Sequence, residues 1–218
     1  MPARTIAIGD IHGCSIALAA LIKAIDLRPD DTLVTLGDYV DRGLDSKGVL
    51  DFLIKLETRC QLISLIGNHD AVMLGAIDYQ LSIEAWKAIG GSATLQSYGE
   101  SDSLKDIPVS HAKFLRRCRL WYETPTHFFV HAAYDPEHSL DRQEDATLLW
   151  QGIRDDVPGP HVSGKTAIVG HTSQKNGEIL DMGHLVCIDT NCWNGGWLTA
   201  MDVQSRRVWQ VNEGGRLR

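Results

Sequence analysis

Asp10, His12, Asp38, Asp41, Arg42, Asn68, His69, His131 and His171 are the residues of this chain whose types and spacing could do chemistry together. The earlier ones sit in three short blocks: Gly9-Asp10-Ile11-His12-Gly13, Gly37-Asp38-Tyr39-Val40-Asp41-Arg42-Gly43 and Gly67-Asn68-His69-Asp70. Each block closes an apolar run. The later histidines follow similar runs, in Val130-His131-Ala132-Ala133 and Val169-Gly170-His171-Thr172. Carboxylate, imidazole and amide donors at successive strand ends are what a pair of divalent cations requires, and such a pair serves the hydrolysis of phosphate esters. Mixed nitrogen and oxygen ligation without thiolate suits Mn²⁺, Fe or Zn²⁺. Asp38 is the natural bridge, because a carboxylate can serve two cations at once. A strand-end aspartate is ordinarily a turn former and a lone histidine ordinarily structural. The ordered set carries the reading, not any one member.

Those residues must be delivered by strands. Thr5 to Ile8, Thr32 to Leu36 and Gln61 to Ile66 read as buried strands ahead of the three blocks. Between them, Leu18, Leu21, Ile22 and Ile25 recur at helical spacing behind Ser15, a candidate cap, and a second helix is expected from Ser46 to Glu57. This βαβαβ opening predicts parallel strands with ligands at their carboxyl ends. Residues 71–126 read as mostly helical, broken at Gly90-Gly91 and Tyr98-Gly99, an excursion from the sheet that walls a cleft. Strands return at His127 to Val130, Thr166 to Val169, Leu185 to Asp189, Leu198 to Val203 and Arg207 to Val211, the last three expected antiparallel. Residues 134–165, polar and containing Pro136, Pro158 and Pro160, read as a long loop over the site. Asp45 and Asp70 are expected as helix caps, and His111, His127, His138, His161 and His184 as structural.

The five blocks, in this order, resemble those of the metallophosphoesterases of the phosphoprotein phosphatase family. The short chain is similar to the small bacterial and phage serine/threonine phosphatases. The resemblance implies an α/β (α+β mixed) protein with the calcineurin-like four-layer fold: a central β-sandwich of mixed sheets flanked by helices. It implies a single domain over residues 1–218, with 71–126 as a helical insertion within it. It assigns Asp10, His12 and Asp38 to a first cation, and Asp38, Asn68, His131 and His171 to a second. Mn²⁺ is the foremost expectation for both. A hydroxide shared by the cations would attack phosphorus in line. Arg42 and Asn68 would hold the substrate phosphate, and His69, kept protonated by Asp41, would be the acid. The family's second clamping arginine follows a Leu-Trp pair, which matches Arg154 after Leu149-Trp150, at an unusual spacing. His131-Ala132-Ala133 replaces the commoner His-Ala-Gly, a small change that leaves the ligand intact.

Composition bounds the partners. The 218 residues carry 21 basic against 28 acidic side chains, a net charge of −7, with no basic block. That disfavours nucleic acid as a principal partner. No apolar stretch approaches a membrane span, and Met1-Pro2-Ala3-Arg4 runs straight into the first strand, so a cytoplasmic protein is expected. The 5 cysteines include no CxxC and no disulfide framework, and Cys192 is expected to be an inert thiol. The leading expectation is a serine/threonine protein phosphatase acting on a phosphorylated protein or small phosphoester. A dinucleoside polyphosphate hydrolase shares the same blocks and is the alternative. A catalytically silent phospho-binding protein is disfavoured because every ligand and the acid survive.

Overall fold

A computed structural model describes residues 3–99, 103–154 and 156–218. Its first sheet contains β1 (Thr5–Ile8), β2 (Thr32–Thr35) and β3 (Gln61–Ser64), which run parallel. On the other side of β1 lie β9 (Leu198–Asp202) and β10 (Val208–Val211), antiparallel, giving the order β10-β9-β1-β2-β3. The second sheet has the order β4-β5-β6-β8-β7, built from Trp121–Glu123, His127–Val130, Thr166–Val169, Leu185–Cys187 and Leu180–Asp181 for β4, β5, β6, β8 and β7 respectively. Within it β5, β6 and β8 are parallel, while β4 and β7 are antiparallel edges.

Period-two alternation sorts the side chains into layers. Ala7, Val34, Ile63, Phe129, Ile168, Val186 and Met201 point between the sheets and form the sandwich interior. Ile6, Ile8 and Leu33, from the opposite face of the first sheet, pack against α1 (Ser15–Ile25) and α2 (Ser46–Leu56) through Leu18, Leu21, Leu50 and Leu53. Phe128, Val130, Ala167 and Val169 face outward from the second sheet, onto Tyr134, Leu140 and Leu148. Two mixed sheets packed face to face with helices outside are the calcineurin-like architecture. The expected fold class holds.

Several local expectations do not. Ser15 does not cap α1; its Oγ donates to Asp45 Oδ2 at 2.6 Å, and Asp45 caps α2 by accepting from Gly48 N at 2.8 Å. Residues 71–126 are mostly helical, with α3 (Asn68–Ile77), α4 (Ile83–Trp86), α5 (Ser92–Tyr98) and α6 (Val109–Arg117) and a kink at Gly90, but they also hold one strand, β4. Residues 134–165 hold a helix, α7 (Asp145–Trp150), because Leu148 and Leu149 have a core to bury against. The last three strands are not one antiparallel set: β8 lies parallel to β6 in the second sheet, and only β9 and β10 pair antiparallel in the first. Strands 2, 3 and 8 also end earlier than the apolar runs, at Thr35, Ser64 and Cys187, because the chain there turns into the blocks. Cys192 is buried and its thiol free, as expected. Among the described residues no helix is long and apolar enough to cross a membrane.

The sandwich interior sets the distance between the two halves of the site. Phe129 is fully buried there, so Phe129→Ala should lower unfolding free energy by about 3–5 kcal/mol. Urea unfolding monitored by circular dichroism checks this, and a loss under ~1 kcal/mol would mean the interface collapses to refill the space.

Candidate active site and metal centre

The blocks meet where the carboxyl ends of β1, β2, β3, β5 and β6 converge from the two sheets. Backbone donors of one block hold the acids of another. Asp10 accepts from His171 N at 3.1 and 3.0 Å, tying the first sheet to the second. Asp38 Oδ1 accepts from His69 N at 3.0 Å. Asp70 accepts from Asp38 N at 2.8 Å, Tyr39 N at 3.0 Å and Gly67 N at 2.9 Å. The expected cap of α3 therefore also clamps the middle block.

This crowding explains two glycines. A Cβ on Gly67 would sit 2.1 Å from Asp38 Oδ1, and one on Gly170 would sit 2.1 Å from Asp10 Oδ1. Only a residue without a side chain lets the backbone before Asn68 and before His171 pass that close. His12, Asp38, Asp41, Arg42 and His171 all take positive φ, between 42° and 71°. Such backbone is disfavoured for side-chain-bearing residues and persists where the surroundings over-determine it, commonly at functional sites.

The imidazoles are fixed by their outward nitrogens. His12 Nδ1 donates to Val40 O and His131 Nδ1 to Leu36 O, each at 2.9 Å, so the Nε2 lone pairs point into the site. His171 is hydrogen-bonded to the Trp150 backbone. Burial holds the His12 ring down at about 3 and the His171 ring at about 4, so both are neutral near pH 7. The result is a convergence of acceptors. Asn68 Oδ1 lies 3.0 Å from both His131 Nε2 and His171 Nδ1, and Asp38 Oδ1 lies 3.5 Å from His131 Nε2. On the other side Asp38 Oδ2 lies 3.3 Å from His12 Nε2. Lone pairs aimed at a common point, away from water, fit a bound cation. Asp10 agrees with this: burial, then the neighbouring carboxylates of Asp189 and Asp38, raise its pKa well above the usual range, a repulsion that cations relieve.

Among the described residues two groups have ligand atoms within 4.8 Å of one another: His12, Asp38 and His69, and Asp38, His131 and His171. Asp38 belongs to both, as a bridge must. Asn68 Oδ1 joins the second. The first group differs from the expected set, for it brings in His69 while the Asp10 carboxylate rests on His171 N.

His69 has a second tie. Its Nδ1 lies 2.7 Å from Asp41 Oδ2, and Asp41 is fully buried. Trp86 Nε1 donates to both Asp41 oxygens at 3.0 and 3.1 Å, and Thr94 Oγ1 donates to Oδ1 at 2.8 Å. Burial raises the Asp41 pKa, and these partners pull against the rise. Trp86 and Thr94 lie in the helical excursion, and nothing in their spacing points back to Asp41. Asp189 was missed altogether. It is buried at the end of β8, accepting from Ser173 Oγ at 2.6 Å and Asn191 N at 3.0 Å.

Arg42 lies at the rim, its Nη1 3.0 Å from His12 Nε2 and its guanidinium 5.2 Å from the Trp193 ring centre. Arg154 is exposed and touches none of these residues; it lines a cleft beside Thr172. His111 is structural, between Tyr98 Oη at 2.6 Å and Asp51 Oδ1 at 3.1 Å.

The profile of the calcineurin-like phosphoesterases matches residues 3–180. The chain belongs to this family. It is 32% identical over 157 residues to a symmetrical bis(5'-nucleosyl)-tetraphosphatase of Stutzerimonas stutzeri, covering 70% of this chain but 53% of that protein. The chain thus spans about half the length of that relative. Serine/threonine-protein phosphatase 1 of Salmonella typhimurium is 29% identical over 209 residues, 90% of each chain. The crystal structure of a protein provisionally described as a diadenosine tetraphosphatase superposes with a TM-score of 0.73 at 25% identity, over 96% of this chain and 93% of that one.

Asp38 stands in both ligand groups, so its loss should be felt by both cations. Added Mn²⁺ should raise the melting temperature of the wild-type protein, since binding to the native state alone is stabilising. Asp38→Asn should melt normally without metal and shift far less with it. An undiminished shift in the variant would place the bridge elsewhere.

Proposed function

We propose that this chain is a dinuclear phosphomonoesterase acting on phosphoserine or phosphothreonine in proteins. The observation that carries the metal-dependent part is the convergence of imidazole, amide and carboxylate groups on Asp38 and Asn68, beside a buried His69–Asp41 pair. The protein substrate is supported by the near end-to-end likeness to serine/threonine-protein phosphatase 1. A second reading, hydrolysis of a dinucleoside polyphosphate, is supported by the tetraphosphatase names of other relatives and of the solved structure described above.

The proposed holders of two divalent cations are Asp10, His12, Asp38, Asn68, His131 and His171. When bound, the cations supply Lewis acidity, lowering the pKa of water and offsetting phosphoryl charge. The chain's own residues do the rest. His69 gives its Nδ1 proton to the hydrogen bond with Asp41, which leaves Nε2 as the atom that carries a proton to the departing alkoxide. The carboxylate fixes the ring's orientation, while Trp86 and Thr94 hold the carboxylate from behind. Arg42 offers a planar fork to the phosphoryl oxygens, and its aromatic support on Trp193 restricts where that fork points.

His69→Asn should keep its metal content and lose roughly 10²–10⁴-fold in turnover of a phosphopeptide. An aryl phosphate, whose phenolate leaves without much protonation, should lose less. Trp86→Phe, which removes one donor to Asp41, should act in the same sense and more weakly. Loss of a bound ion in His69→Asn would make His69 a ligand instead of the acid.

Turnover of p-nitrophenyl phosphate, a phosphoserine peptide and diadenosine tetraphosphate should each be abolished by a chelator and restored by Mn²⁺. A kcat/KM for the peptide well above that for the dinucleotide supports the protein substrate. The reverse order supports the second reading.

A further inference from the structure

A cleft of about 650 Å³ is lined by the chain that follows His171, from Thr172 onward. That is within the roughly 300–1,000 Å³ of sites that hold small molecules. One wall is the loop after α7, with Ile153, Arg154 and Val157; the other is the chain from Thr172 onward, with Lys175 and Met182. The two walls are pinned together. Ile153 N donates to Thr172 Oγ1 at 3.0 Å, Gln174 Nε2 donates to Thr172 O at 2.6 Å, and Gln174 N donates to Asp189 O at 2.8 Å. The cleft therefore shares its frame with the backbone that carries His171.

Among its described lining residues the charged ones are both cations, with Asp156 exposed between Arg154 and Val157 on the same wall. Lys175 and Arg154 are both exposed along it, and neither makes an ion pair or hydrogen bond with the described residues. Carboxylates on the same strand-loop segment are already occupied: Glu178 is held by Arg218 and Asp181 by Arg206. In a chain of net charge −7, two cations without a partner among the described residues on the walls of one cleft are charges free to meet an anion there. Beside them Ile153, Val157 and the half-exposed Met182 give an apolar surface for whatever carries the anion.

We infer that this cleft is a second anion subsite, which takes a phosphate or carboxylate borne by the substrate beyond the phosphate that is hydrolysed. Lys175 is its specificity-determining residue. The inference rests on the phosphoesterase reading above and adds to it a preference among substrates. The second anion can be a further phosphate of a polyphosphate chain or an acidic side chain next to a phosphorylated serine; the chemistry of recognition is the same.

The test uses the metal-loaded protein and three substrates. p-Nitrophenyl phosphate has no second anion and reports the phosphoesterase itself. Diadenosine tetraphosphate has further phosphates. A phosphoserine peptide with flanking glutamates is compared with its glutamine counterpart. Selectivity is the kcat/KM of an extended substrate divided by that of p-nitrophenyl phosphate. Lys175→Ala should lower it roughly 5- to 20-fold for whichever extended substrate uses the cleft, as expected for loss of a charge-assisted contact. Lys175→Glu should lower it further, and 0.5 M salt should narrow the wild-type preference. A fall for diadenosine tetraphosphate alone assigns the cleft to polyphosphate; a fall for the glutamate peptide against its glutamine counterpart assigns it to acidic peptide. Unchanged selectivity on every substrate in both variants overturns the subsite while the phosphoesterase stands. Wild-type protein that turns over none of the three overturns both.

Discussion

A carboxylate or an imidazole lone pair taken out of water must find a proton donor or a cation, because an unpaired buried charge or acceptor is strongly unfavourable. This chain buries Asp10, Asp38, Asp41, Asp70 and Asp189 within one region, together with His12, His69 and His131. The backbone N–H groups of the neighbouring blocks answer part of that demand. Asp10 takes the N–H of His171, Asp38 that of His69, and Asp70 those of three residues in two blocks. The left-handed backbone at His12, Asp38 and His171 follows from the same constraint, since the chain must fold sharply to aim both its N–H and its side chain at one place. What the N–H groups leave unanswered is the set of lone pairs on His12, His131, His171 and Asn68. Those lone pairs, of which His12 Nε2 also meets Arg42 Nη1 at 3.0 Å, are the proposed ligands of the cations.

The local sequence was enough for the strand-end acids and histidines because each block interrupts an apolar run with residues that seldom occur there. It was enough for the cap at Asp45, where the side chain acts on its own helix. It was not enough where the partner lies far along the chain. Trp86 and Thr94 serve Asp41 across a wide sequence gap, and their helix spacing is that of ordinary core residues. Asp189 reads as the polar end of a strand and only the pairing of β8 with β6 brings it beside Asp10. The assignment of the closing strands failed for a related reason: proximity in sequence favours a hairpin, while burial of Val186 and Ile188 between the sheets sends β8 to the second sheet. Arg154 follows a Leu-Trp pair at an altered spacing, and it stands exposed in the cleft wall with no hydrogen bond or ion pair to the other candidate residues.

The division between catalysis and substrate choice has a physical basis. The candidate ligands come from strand ends locked by two sheets, and any phosphate ester presents the same tetrahedral group to them. Choice among esters must come from surfaces the ligands do not provide. On this chain those surfaces are Arg42 with Trp193 at the rim and the cationic cleft beyond Thr172. Relatives named for protein and for dinucleotide substrates can therefore share the ligand blocks and differ around them.

The suspension of Asp41 from Trp86 and Thr94 carries a consequence for how the molecule would wear out under stress. The helical excursion bearing those two residues is kinked at Gly90, whose φ is 126°, and it docks on α2 through α5 and α6. Segments of that kind open locally at lower free energy than the strands of a sandwich. Warming would then release the acid's tether while the strand-borne donors still stand in register. The protein would pass through a range in which it still grips its ions and easy esters still turn over, but esters with reluctant leaving groups no longer do. Chemical competence would melt in two stages within a single domain, the proton donor first and the electrophile last.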